Sequence, residues 1–243
     1  MNLEFRNKII NLKSVNSTNE FAKKLIDKYN ESDSFVITSD FQSRGKGQFN
    51  NSWESLSGKN LLMSVVISLK KNIKTKFDLN IVSSLAVMDV LNEIGFKNTS
   101  IKWPNDILVG SKKIAGILIE TKSKGNEIYK SIIGLGFNVN QEQFKIYERE
   151  ATSIKLEKNK FFDIIVIRDN FLEKLHNRFL IDMTTNFNDY NYYLYLKGKK
   201  TTFFIGKKQI IGAIIEVDKS GEIKLCIEND IKSFQMKKIS YTV

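Results

Sequence analysis

The chain has 243 residues, 42% hydrophobic and 27% charged, enough apolar material for a buried core and too much for a disordered chain. A single cysteine (Cys226) excludes an intramolecular disulfide or a Cys-built zinc site, and a single histidine (His176) excludes a multi-histidine metal centre. The net charge of +11 raises the question of a nucleic-acid partner. Only five of the 38 basic residues are arginines (Arg6, Arg44, Arg149, Arg168, Arg178), and arginine is the residue that reads phosphates and bases bidentately, so lysine-rich composition is the better explanation. Met1 to Lys13 holds no continuous apolar run, and no segment reaches the ~20 apolar residues of a membrane span. A cytoplasmic protein with no membrane partner is expected.

The first predicted helix opens at Ser17-Thr18-Asn19-Glu20, where Ser17 and Glu20 have capping-box spacing, and carries Phe21, Leu25, Ile26 and Tyr29 on one face. Phe35 to Thr38 is a predicted strand. Asp40 to Asn60 is polar, contains Gly45, Gly47 and Gly58, and is too long for a simple turn. Leu61 to Leu69 predicts a strand buried on both faces. Phe77 to Ile94 predicts a helix ended by Gly95 at the C′ position. Short strands follow at Ile101 to Trp103, Ile107 to Val109, Lys113 to Glu120 and Ile128 to Val139, with turns at Pro104 to Asp106, Gly110-Ser111 and Lys124 to Asn126. Helices are expected over Phe161 to Leu180 and Asn188 to Leu196. Beyond Lys197 come strands at Thr201 to Ile205, Gln209 to Val217, Glu222 to Ile227 and Lys232 to Met236, the density of a small barrel. The fold class is α+β, with a boundary near residue 197 that divides the chain into 1–196 and 197–243.

Four stretches can carry chemistry. Gly45-Lys46-Gly47-Gln48 brings backbone N–H groups and a cation within reach of an anion, although a plain surface loop fits the same residues. Lys102-Trp103-Pro104-Asn105-Asp106 places an aromatic, an amide and a carboxylate on one rigid turn, with Asp106 a candidate for Mg²⁺; an ordinary hairpin turn accounts for it equally well. Lys113 begins an apolar strand, either as an edge-solubilising charge or as a phosphate contact. Gly134 and Gly136 weaken a strand interior unless something approaches closely, which favours a pocket wall. His176 is expected at a helix boundary, and Cys226 alternates with Leu225 and Ile227, away from the barrel core.

Ser17-Thr18-Asn19, the glycine loop ending in Ser52-Trp53, Lys102 to Asp106, Lys113-Ile114-Ala115-Gly116 and Gly134-Leu135-Gly136-Phe137-Asn138-Val139-Asn140 occur in the order and spacing of biotin–protein ligases, which the chain resembles along nearly its whole length. The resemblance implies a class II synthetase-like catalytic domain, with a mixed or antiparallel sheet and flanking helices, followed by a C-terminal SH3-like β-barrel. Sixteen residues precede Ser17, so the short form without an N-terminal repressor domain is expected. It implies ATP, Mg²⁺ and biotin as the small molecules, and a biotin carboxyl carrier protein as the partner. No specific DNA binding is expected, and a homodimer is compatible with the family. By position, Ser17, Thr18, Asn19, Gln42 and Gly45 fall at the biotin ureido end, with Gly116 and Ile117 lining the pocket. Lys46, Gly47 and Gln48 belong to the loop closing over biotin and phosphate. Lys113 falls between the biotin carboxylate and the α-phosphate, Asp106 at Mg²⁺ or the lysine nucleophile, and Trp53, Asn105, Asn138, Lys46 and Asn51 at the nucleotide.

The loop departs from the family pattern. Gly-Arg-Gly-Arg-x-Gly-Arg becomes Gly45-Lys46-Gly47-Gln48-Phe49-Asn50-Asn51, so one cation of three remains, and looser retention of the adenylate is expected. Asn50 in place of glycine is tolerable in the left-handed region. Two rival functions stand beside this one. A lipoate- or octanoate-handling enzyme of the same fold shares the Trp-Pro-Asn-Asp echo. A nucleic-acid-binding module is suggested by ten lysines against five acidic residues from Lys197 onward.

Overall fold

The computed structural model describes residues 8–30, 33–48, 51–68, 73, 75–124, 127–145 and 150–241. Met1, Arg6, Phe49, Asn50, Leu69, Asn126 and Arg149, named above, lie outside the described residues. The chain runs β1 (Ile9–Leu12), α1 (Thr18–Ile26), β2 (Phe35–Ser39), β3 (Leu61–Ser68), α2 (Lys76–Glu93), β4 (Thr99–Lys102), β5 (Asp106–Val109), β6 (Lys112–Lys124) and β7 (Glu127–Phe137). Then come α3 (Ile154–Lys158), α4 (Ile164–Leu180), α5 (Met183–Tyr192), β8 (Lys200–Ile205), β9 (Lys208–Val217), β10 (Ile223–Ile227), β11 (Asp230–Phe234) and β12 (Ser240–Tyr241).

The first seven strands form one mixed sheet in the order β1-β2-β3-β7-β6-β5-β4. β1 runs parallel to β2, and the remaining neighbours are antiparallel. Strand alternation divides the apolar side chains between two layers. Val36, Val65, Ile67 and Ile133 join the main core with α2 and α4, while Phe35, Ile37, Val66 and Ile132 pack with Ala22 and Ile26 of α1. This two-sided cover is why β3 is buried along all but its last residue, as its unbroken apolar run predicts. α2 buries 13 of its 18 residues, too many for an amphipathic surface helix, and is the core helix of the molecule. The second sheet, β11-β10-β9-β8-β12, is antiparallel throughout and is consistent with the SH3-like barrel. Ile223, Leu225 and Ile227 of β10 point into its core, and Cys226 lies between them half-buried. Asn191 joins α5 to the second sheet, donating to the Val217 carbonyl at 3.0 Å and accepting from its N–H at 2.7 Å. Among the described residues no helix is long and apolar enough to cross a membrane.

Several expectations are corrected. Ser17 is the N-cap residue of α1, but its side chain makes no cap bond, so the Ser17–Glu20 capping box does not form. The Glu20 carboxylate turns to Lys23 and Lys46 instead. A reciprocal capping box exists at α2, between Thr75 and Asp78. The helix expected from Phe161 starts at Ile164, because Asp163 caps the Ile165 N–H. The helix expected over Asn188 to Leu196 lies at Met183–Tyr192, capped by Asp182; Leu196, at φ +60, is past its end. The short elements β1, α3 and β12 went unpredicted, being too brief to show a period. His176 is half-buried, as expected of a boundary residue.

Arg178 of α4 ties the three large helices together. It grips Asp89 of α2 through two nitrogens at 2.6 and 2.7 Å and reaches Asp189 of α5 at 2.6 Å. Burial opposes its charge, but the hydrogen bonds to the two aspartates outweigh burial and raise its pKa further above the ordinary arginine value. Arg178→Met strands two carboxylates at the helix seam and is expected to cost about 2–4 kcal/mol, or about 5–15 °C in melting midpoint. A thermal melt shifted by less than 1 °C would show the seam to be unimportant.

Candidate functional site

A cavity of about 360 Å³ opens where the start of α1, the 42–53 loop, the β4–β5 turn, the β6 and β7 strands and the end of the second sheet meet. At its polar end Gln42 Oε1 accepts from the Thr18 N–H (2.7 Å) and the Thr18 hydroxyl (3.0 Å). The Ser64 hydroxyl of β3 lies 2.7 Å from Thr18 Oγ1 and 2.6 Å from Asn19 Oδ1. Asn19 Nδ2 donates to Glu120 of β6 at 2.9 Å. Ser17, Thr18, Asn19 and Ser64 are all buried, so this network holds fixed donors and acceptors in a dry setting. Ser64 had no signal of its own in the sequence; it is a polar residue inside an apolar strand, and that anomaly is what could have singled it out.

The two strand glycines have a physical reason. A Cβ on Gly134 would stand 2.5 Å from Asn19 Oδ1. One on Gly136 would meet the Trp53 indole, so the missing side chains let Asn19 and Trp53 lie directly on β7. Both glycines line the cavity, so the wall is real, although the chain's own side chains approach it.

The charged centre lines the same cavity. Lys113 Nζ lies 2.6 Å from Asp106 Oδ1, with the two side chains 29% and 18% exposed. Asp106 starts β5 directly across from Gly116, and an irregularity in the β5–β6 register sits between that pair and Lys113. The Lys113 backbone is held on both sides, by the Glu150 carbonyl and the Thr152 N–H, each at 2.9 Å. Its ammonium also lies 5.3 Å from the Trp53 ring centroid. Asn105 Nδ2 donates to the Ile117 carbonyl at 2.6 Å, and the Ile117 N–H returns to the Asn105 carbonyl at 3.1 Å.

The glycine loop closes on itself through Gly47 N–H to Asn51 O (2.6 Å) and Trp53 N–H to Gly45 O (2.9 Å). Lys46 pairs with Glu20 of α1 at 2.7 Å. Hydrogen bonds from Lys46 first, then Lys23, hold the Glu20 carboxyl below the usual carboxylate range. The pair is therefore present at neutral pH and lost only as the pH falls through that lowered value. Two buried atoms here, Gln48 Oε1 and Trp53 Nε1, have no hydrogen-bond partner among the described residues.

Of the residues predicted from sequence, Ser17, Thr18, Asn19, Gln42, Lys46, Gly47, Gln48, Asn51, Trp53, Asn105, Asp106, Lys113, Gly116 and Ile117 line this one cavity. Gly45 lines an adjoining depression behind the loop. Asn138 stands outside the lining: it is buried, and its amide donates to the Thr152 carbonyl at 3.0 Å, bracing the segment that holds Lys113. Nothing in the sequence marks Lys102 as lining, nor Met236, Lys237 and Ile239 of the β11–β12 connection and Ser240 and Tyr241 of β12, which reach the cavity from the far end of the chain. Among the described residues no cluster of three or more Asp, Glu, His or Cys offers an all-protein metal cage. One carboxylate, Asp106, fits the way Mg²⁺ is held beside substrate phosphates.

Residues 12–138, just over half of the chain, match the model of the Biotin/lipoate A/B protein ligase family. The Bifunctional ligase/repressor BirA of Escherichia coli is 25% identical over 237 residues, covering 93% of this chain and 71% of that protein. Its counterpart in Bacillus subtilis is 32% identical over 128 residues, which is 53% of this chain and only 39% of that protein's length. The solved structure of the biotin protein ligase from Aquifex aeolicus in complex with biotin and ATP superposes with a TM-score of 0.80 at 25% identity, covering 96% of this chain and 97% of that one. Fold, motif order and family model agree: the chain belongs to the biotin/lipoate A/B protein ligase family.

Proposed function

We propose that this chain is a cytoplasmic biotin–protein ligase, in which ATP activates biotin as biotinyl-5′-adenylate and the biotinyl group passes to a lysine of a biotin carboxyl carrier protein. The observation that carries the reading is that one small cavity is lined both by the Lys113–Asp106 pair and by the polar pair of Thr18 and Gln42, which Ser64 backs from β3. A carboxylate oxygen of biotin attacks the α-phosphorus, and pyrophosphate leaves with the P–O electron pair. The acceptor amine then attacks the mixed-anhydride carbonyl, AMP departs, and the amine gives up a proton. Residues 1–196 carry most of this machinery, with 197–243 closing one side.

Each role follows from position. Thr18 and Gln42, which line the cavity with Ser64 holding Thr18 from behind, are suited to a urea-like group, which offers one acceptor and two donors. Lys113, on a strand braced at both backbone groups, places a fixed cation where a carboxylate and a phosphate meet. Asp106 is within reach of an incoming ammonium and is the carboxylate that would hold Mg²⁺, which when bound neutralises charge on the phosphate oxygens. No nucleophilic side chain is needed, in keeping with a lone Cys226 far along the second sheet. Lipoate handling is the alternative within the family. Biotin at a hundredfold excess over its Kd is expected to add about 2.7 kcal/mol, raising the melting midpoint by about 5–10 °C. Lipoate is expected to leave the midpoint unchanged. The reverse pattern would assign the cavity to the other substrate.

A further inference from the structure

We propose that Tyr190 and Asn80 are positioning residues for the reaction, acting together through the carbonyl of Pro104; the proposal rests on the ligase reading above. The Pro104 oxygen accepts the Tyr190 hydroxyl at 2.8 Å and also the Asn80 side-chain amide. The donors come from α5 and α2, and both are buried, Tyr190 at 0% and Asn80 at 4% exposure. The same short turn is held at its flanks. Trp103 donates its indole N–H to the Gly221 carbonyl in the β9–β10 turn at 3.1 Å, and Asn105 exchanges two bonds with Ile117. Directly after these anchors comes Asp106, paired with Lys113.

One donor is enough to satisfy a buried carbonyl. The second comes at a cost: Asn80 Oδ1 is left buried without a partner among the described residues. An apolar side chain at this position on a core helix would avoid that cost, so stability alone does not account for the asparagine. Fixing the peptide plane after Pro104 from two directions does, because the orientation of that plane sets where Asn105 and Asp106 point. Small misplacements of a reacting group are costly to rate, while the polar end of the cavity, Thr18, Gln42 and the Ser64 behind them, is held by bonds that do not pass through this turn.

Tyr190→Phe keeps the ring and its edge contact with Phe77 and removes only the bond to Pro104. In biotin-dependent pyrophosphate release, kcat is expected to fall about tenfold, with KM for biotin within twofold and the melting midpoint within a few degrees. Asn80→Leu, an apolar replacement of similar size, is expected to act in the same direction and serves if Tyr190→Phe does not fold. Arg178→Met is the comparison, expected to lower the midpoint while leaving kcat unchanged well below it. Values of kcat within twofold of the parent for both turn variants, or losses that merely follow the melting midpoint, would overturn the proposal. A parent enzyme that releases no pyrophosphate with biotin and ATP would instead overturn the ligase reading, and the proposal with it.

Discussion

Lys113→Ala is expected to lower biotin-dependent pyrophosphate release by at least 10²-fold while the fold survives. The ion pair it removes is partly solvated, and such pairs contribute only ~0–1 kcal/mol to stability, so the melting midpoint should move by a few degrees at most. The kinetic effect is larger because the ammonium is fixed before the reaction begins. The Lys113 backbone is tied to Glu150 and Thr152 and its side chain is held by Asp106, so in the proposed reaction a fixed cation meets the charge that develops at phosphorus. A protein that melts normally and still releases pyrophosphate at the parent rate would refute the role. Lys113→Arg separates charge from shape: it keeps the cation but spreads it over a planar fork, and should recover only part of the rate.

The second large effect concerns what happens between the two steps. In the family pattern three arginines stand in the loop; here Lys46, Gln48 and Asn51 occupy those places, and Lys46 is engaged by Glu20. Two charge-assisted contacts of about 1.5–3 kcal/mol each are absent, equivalent to roughly 10–10²-fold each in adenylate retention. The adenylate is therefore expected to escape and modify lysines of bystander proteins. The double variant Gln48→Arg with Asn51→Arg should slow its release at least tenfold. Release can be timed with labelled biotin by rapid filtration, and a mixture with unrelated proteins shows the leakage directly. Label confined to the carrier protein, with release unchanged in the double variant, would contradict this account.

What the sequence made legible was whatever is encoded locally. The unbroken apolar run of β3, the Gly95 stop after α2, and the alternation of Leu225, Cys226 and Ile227 each follow from a short-range rule, and each holds. Lys113, Asp106 and Thr18 carry recognisable spacing, and the cavity gathers them. What failed was decided over longer distances. Ser17 and Glu20 have capping-box spacing, yet Lys46, 26 residues further on, offers the Glu20 carboxylate a charged partner that the N-cap N–H cannot match. α5 was placed too late because Asp182, its cap, sits in a polar run with a weak apolar period. Lys102 and Tyr241 come together at 4.8 Å only because the second sheet folds back over the β4–β5 turn, and no local pattern states that closure. Gly134 and Gly136 were right as a wall and incomplete in cause, since the close approach comes from Asn19 and Trp53.

Ligase activity is read out by incubating the protein with biotin, MgATP and a biotin carboxyl carrier domain and measuring the intact mass of that domain. The expected result is the addition of a single biotinyl group, dependent on ATP, abolished by Lys113→Ala and absent when lipoate replaces biotin. A carrier domain whose mass is unchanged by biotin and ATP, or that gains a lipoyl group instead, would contradict it.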